Sequence, residues 1–142
     1  MKRAEKYPDT STFVYFNANP HNRIGGDCCV RAISVAMKLP WETVVREMTE
    51  IGIKKGYVLN DPKCIELYLQ EKKWIKNKQP KKWDNTKYTG KEFCEYLKKT
   101  NQTENIIANI GGHHIVAIVN CKIHDIWNST DRCIGNFWTP GH

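Results

Sequence analysis

Between Asn105 and Asn128 the chain reads "NIIANI", "HHIVAIV" and "KIHDIWN", three short stretches rich in β-branched residues and parted only by "GG" and "NCK". Side chains branched at Cβ suit the pleated, half-buried surface of a sheet, and connections this short force consecutive strands to pair antiparallel. Three antiparallel strands are therefore expected there. Upstream the pattern is helical. "CCVRAISVA" runs on until Pro40, and Val44, Val45, Met48 and Ile51 recur at helical spacing after Trp41, with Gly52 placed to close that helix. Asp61 followed by Pro62 is a helix start ahead of Ile65, Leu67, Tyr68 and Leu69. Thr89 and Glu92 stand at capping-box spacing before "FCEYL". "TFVYF" (12–16) reads as a short strand, while 17–26 and 72–87 read as loops.

Helices first and strands later give an α+β expectation: N-terminal helices packed on a C-terminal antiparallel sheet. With 142 residues, 40% of them hydrophobic, the chain suits one domain over 1–142, its helical part at about 20–100 and its sheet part at about 105–140. No apolar run has the length of a signal sequence or a membrane span, so a cytoplasmic protein without a membrane partner is expected. Its six cysteines should then be free thiols.

The net charge of +7 is concentrated. From Glu71 to Lys99 there are ten lysines against four acids, interleaved with Trp74, Trp83 and Tyr88. Bases stack on aromatics set among cations, so a noncatalytic basic module that grips nucleic acid or an acidic protein through Lys72–Lys99 is one reading. The cations are all lysine, which lacks arginine's planar fork, and a solvated face is favoured over a nucleic-acid groove. A metal site from His113, His114, Cys121, His124 and Cys133 matches no common ligand spacing, and no cofactor is expected.

The chemistry centres on "GGDCC", where a glycine turn leads into an apolar helix. A thiol at a helix N-terminus feels the positive end of the macrodipole, which favours thiolate. Cys28 and Cys29 both qualify, since the apolar periodicity serves either one. A nucleophilic thiolate needs an imidazole and a group that orients it. His21 lies in the preceding loop and His142 ends the sequence, whereas His113 and His114 open a strand. Alternation lets only one of that pair face a given site. If "HHIVAIV" and "KIHDIWN" form a hairpin turning about Cys121, Asn128 stands opposite His114 and Asp125 opposite Ala117. Asn128 then orients His114, and Asp125 needs another register. Asn22, six residues before Cys28, supplies a side-chain amide for an oxyanion.

A cysteine opening an early helix, a histidine opening a strand and an Asp or Asn at the end of the next strand resemble the papain-like cysteine peptidases. "NRIGGDC" is similar to the bacteriocin-leader-processing branch, with an amide side chain six residues before a cysteine that follows an aspartate. "HIVAIV" resembles the histidine motif of these families. The stretch 105–130 also resembles small bacterial and phage-type papain-like proteins. The resemblance covers 20–39 and 105–130. It implies Cys28 as nucleophile, His114 as base, Asn128 or Asp125 as its orienting group, and Asn22 in the oxyanion role where the family has Gln. It further implies hydrolysis of an amide, peptide or isopeptide bond in a protein or peptide substrate.

Overall fold

A computed structural model describes residues 1–141; His142 lies outside the described residues. After a short helix α1 (Arg3–Lys6), strand β1 (Phe13–Tyr15) leads through the glycine loop into α2 (Cys28–Met37). α2 ends where Lys38 turns left-handed, and the Ser34 hydroxyl donates to the Leu39 carbonyl at 2.6 Å. α3 (Trp41–Lys55) and α4 (Pro62–Glu71) follow. Asp61 caps α4 by accepting from the Lys63 amide at 2.8 Å, as the Asp–Pro pair predicts. α3 runs one turn beyond the expected stop. Gly52 is buried within it, and Gly56, at φ 83°, closes the helix instead. A Cβ on Gly52 would stand 2.1 Å from the Tyr57 carbonyl oxygen, so glycine is there for close approach rather than for a turn.

The remaining elements are β2 (Trp74–Asn77), α5 (Gly90–Lys99), β3 (Ile106–Ile110), β4 (His114–Val119), β5 (Lys122–Asp125) and β6 (Ile134–Pro140). α5 begins with the expected reciprocal capping box of Thr89 and Glu92. The strands form one six-stranded sheet in the order β1-β5-β4-β3-β6-β2. The class is α+β, but two expectations change. β1 pairs with β5 in parallel, so the sheet is mixed rather than antiparallel. β2 lies inside the segment expected to be a loop, and pairs with β6. Trp74–Asn77 has only a weak alternating pattern of its own, and β6 supplies the partner that makes it a strand.

The sheet separates two apolar layers. On one face Ile107, Ile115, Ala117 and Trp138 meet Val30, Ile33, Val44, Met48 and Leu69 of α2, α3 and α4. On the other, Ile106, Ala108, Val116, Ile118 and Ile123 meet Phe13, Phe93 and Leu97. α2 is thereby pinned against β4, with its first residue near that strand's start.

Candidate active site

Cys28 is the first residue of α2, and the preceding Asp27 does not cap the helix with its side chain. Asp27 turns inward instead. Its carboxylate accepts from Asn19 Nδ2 at 3.1 Å and Trp41 Nε1 at 3.0 Å, and pairs with the guanidinium of Arg31 one turn along. The first turn of α2 is therefore left without a side-chain cap. Cys28 is half-buried, whereas Cys29 is 1% exposed in the core, where burial pushes its thiol up to about 12. The environment separates the two cysteines that periodicity leaves equivalent.

His114 begins β4 and stands between Cys28 and Asp125. Its Nε2 is 2.5 Å from Asp125 Oδ2, and the Cys28 thiol lies beside its ring. Burial works against the charged ring, but the hydrogen bond with Asp125, and then that with Cys28, raise its value to about 9. Burial likewise opposes a Cys28 thiolate. Hydrogen bonds from His114 and the Ile115 amide outweigh it, and the thiol is held below its ordinary 9.0. Both shifts run toward a thiolate on Cys28 and a proton on His114. Trp127 covers the imidazole, its ring centre 5.0 Å from that of His114.

The side chain bonded to His114 is that of Asp125, not Asn128. Asn128 Oδ1 instead accepts from the Thr130 amide at 3.0 Å and its hydroxyl at 2.6 Å, within a turn. The physical reason is one residue of register. β4 and β5 are joined by a two-residue turn with Asn120 and Cys121 both at positive φ, 51° and 61°, and Ala117 pairs with His124 rather than Asp125. Continuing that pairing sets Asp125 opposite Val116, which shares its face of the strand with His114. A one-residue slip exchanges faces, so the site gains a carboxylate and loses the carboxamide.

Two other expected residues stand elsewhere. Asn22, left-handed at φ 56°, is exposed in the glycine loop and does not line the cleft beside Cys28. Its backbone is held in a turn, in which the Asn22 backbone amide donates to the Asn19 carbonyl at 3.0 Å. His113 is exposed and faces that cleft, without contact to Asp125. No group of three or more metal-ligating side chains is assembled among the described residues, and Cys121 sits apart, donating to the Gln102 carbonyl at 3.4 Å.

Arg31 has no role in the sequence reading, yet it ties the site together. It is 5% exposed, pairs with Asp27, and reaches Asp125 Oδ1 through its second amino nitrogen. A lone cation in an otherwise apolar helix, four residues after an aspartate, is the signal that identifies such a buried pair. Asp125 Oδ1 also accepts from the Ile126 amide at 2.7 Å.

Beside Cys28 lies a cleft of about 230 Å³, floored by Ile65, Ile115 and Trp138 and edged by Asn60, Asn109, Asn136, Glu66 and Lys76. The lysine-rich segment does not form a stacking platform. Lys72, Lys76 and Lys82 pair with Glu47, Glu66 and Glu92, Trp74 packs on the core, and Tyr88 packs on Phe93. Trp83 alone stands fully out, 97% exposed. No helix is long and apolar enough to cross a membrane among the described residues. Comparison of the chain with family models, curated proteins and solved structures finds no match.

Proposed function

We propose that the protein is a papain-like cysteine hydrolase that cleaves an amide, peptide or isopeptide bond in a protein or peptide substrate, in the cytoplasm, without metal or organic cofactor. The observation that carries this is the Cys28–His114–Asp125 line: a thiol at a helix start, an imidazole beside it, and a buried carboxylate 2.5 Å behind. The Cys28 thiolate attacks the carbonyl carbon, a C–S bond forms, and the carbonyl electrons move onto oxygen. The backbone amide of Cys28 at the open end of α2 donates to that oxyanion. As the tetrahedral species collapses, the C–N bond breaks and His114 gives its proton to the departing nitrogen. Water then attacks the thioester, His114 takes up the water proton, and the C–S bond breaks to restore the thiolate. Asp125 fixes the imidazole orientation throughout.

The test is the rate at which iodoacetamide modifies each cysteine across pH, read by mass spectrometry in the native protein and in His114→Ala. Selective reaction of Cys28 at about pH 6, where an ordinary thiol is almost wholly protonated, and its loss without His114, support the reading. A Cys28 no faster than an ordinary surface thiol sinks it. The basic-module reading would then be pursued from Trp83 and the unpaired lysines around it.

A further inference from the structure

Trp83 and the lysines around it take no part in the site described above. Residues 81–87 double back on themselves: Lys81 bridges to Lys87, the Lys82 amide donates to the Thr86 carbonyl at 2.8 Å, and the Asn85 amide donates to the Lys82 carbonyl at 2.9 Å. Asn85 is left-handed at φ 69°, and Asp84 Oδ1 accepts from the Thr86 amide at 3.1 Å and its hydroxyl at 2.6 Å. Lys82 pins the base by pairing with Glu92 of α5 at 2.5 Å. A tip closed by these bonds holds Trp83 in solvent. Lys78, Lys81 and Lys87 are exposed and form no ion pair among the described residues. Tryptophan is enriched among the anchors of protein interfaces, and a tip already ordered loses little freedom on binding.

The cleft beside Cys28 continues toward this tip. A second hollow of about 430 Å³ shares Pro62, Asn109, Gly112 and Asn136 with it, and is lined beyond them by Gln79 and Lys87. Its wall is a β-bulge in β6, where Gly135 and Asn136 both stand opposite Asn109. Gly112, at φ 91° with open space where a Cβ would stand, keeps the passage between the two clear. In the acyl transfer proposed above, the leaving group must sit at His114 to receive its proton. Cys28 lines the first cleft and His114 does not, so the cleft takes the acyl side. Glu66 and Lys76, 3.8 Å apart, balance each other at its edge. Lys87, further along, is the one charged residue lining the second hollow among the described residues. We infer that this groove and the Trp83 tip form an exosite that docks an acidic segment of the protein substrate, on the acyl side of the attacked bond and several residues from it. The free lysines complement its carboxylates, and Trp83 covers the apolar parts of the same segment. This rests on the cysteine-hydrolase reading and adds two specificity-determining residues, Lys87 and Trp83, to it.

The test compares covalent labelling of Cys28 by three N-acetylated chloromethyl ketones: a dialanyl one, and the same compound extended at its amino end by four glutamates or by four glutamines. Iodoacetamide reports thiolate reactivity alone. Both extended probes should label the wild type faster than the dialanyl one. At low ionic strength the glutamate probe should lead the glutamine probe about fivefold, the worth of one or two exposed ion pairs, and the lead should fade as salt is added. Lys87→Gln should cut that lead by at least half, whereas Lys54→Gln, which removes an exposed charge from α3 instead, should leave it whole. Trp83→Ala should slow both extended probes toward the dialanyl rate. The iodoacetamide rate should stay as in wild type throughout. Equal labelling of wild type by the two extended probes, an equal loss in Lys87→Gln and Lys54→Gln, or extended probes indifferent to Trp83→Ala, with Cys28 still fast toward iodoacetamide, overturns the inference and leaves the nucleophile standing. If the extended probes label equally while an oligothymidylate binds the wild type and not Trp83→Ala, the tip belongs to nucleic acid instead. A Cys28 inert to iodoacetamide removes both inference and nucleophile.

Discussion

The guanidinium of Arg31 lies 3.3 Å from Asp125 Oδ1, on the carboxylate whose other oxygen holds His114. Arg31 also pairs with Asp27, one residue before Cys28. One buried cation thus joins the start of α2 to the end of β5. Replacing it with methionine leaves two inward-facing carboxylates without their countercharge. Removing one partner of a buried ion pair costs about 3–5 kcal/mol, and Arg31→Met should lower stability in urea by that order. Arg31→Lys keeps the charge but cannot fork to both aspartates, and should recover only part of the loss.

Asp125→Asn and Asn128→Ala separate the two orienting groups. The first removes the charge that raises His114, so the imidazolium should be lost at lower pH and Cys28 alkylation at about pH 6 should slow. Hydrolysis should fall by a factor on the order of 10⁴, as when a triad carboxylate is made neutral. The second deletes a turn contact to Thr130 and should leave alkylation near wild type. Equal effects would return the role to Asn128.

The pH dependence follows from the same pair. Cys28 ionises below its ordinary 9.0 and His114 keeps its proton to about 9. Hydrolysis should rise as the thiol loses its proton and fall again at about 9, where the proton for the leaving group is gone. Alkylation needs only the thiolate and should show no alkaline fall. For stability, His114 is raised above its unfolded value of 6.5, so its contribution is complete below 6.5 and is lost as pH rises through about 9. Cys28 is depressed, so its contribution is present above 9.0 and is lost as pH falls through the lowered value. Urea midpoints of wild type and His114→Ala should therefore converge as pH rises through about 9.

Gly52→Ala tests the packing of α3 on the turn before α4. The new methyl would meet backbone at 2.1 Å, and the turn has no flexible side chain to give way. Overpacking of this kind costs about 1–3 kcal/mol, so the urea midpoint should drop although alanine is the better helix former.

How far these features can be read from residues alone varies with the range of the interaction that sets them. The Asp61 and Thr89 caps are local and visible. So are the place of Cys28 at a helix start and the strand that opens with His114, because each depends on neighbours in sequence. Register was the harder matter. A turn with two left-handed residues normally advertises itself by Asn–Gly, and here the second is Cys121, so the turn looks one residue longer than it is. That single residue decided between Asp125 and Asn128. β6 and β2, the parallel pairing of β1, and the bulge at Gly135–Asn136 are long-range pairings that leave no local trace.

The parallel pairing of β1 with β5 has a consequence in time. Tyr15 lies beside Asp125, and the Phe16 amide donates to the Asp125 carbonyl at 2.9 Å, so the earliest strand braces the residue on which the imidazole depends. During synthesis Cys28 emerges long before His114 and Asp125, and until they arrive it is an ordinary thiol on an incomplete domain. Contacts between such distant positions form late in folding. On the proposed mechanism the chain carries its nucleophile unarmed through most of its own production, and arms it only when its first strand and its last third have met.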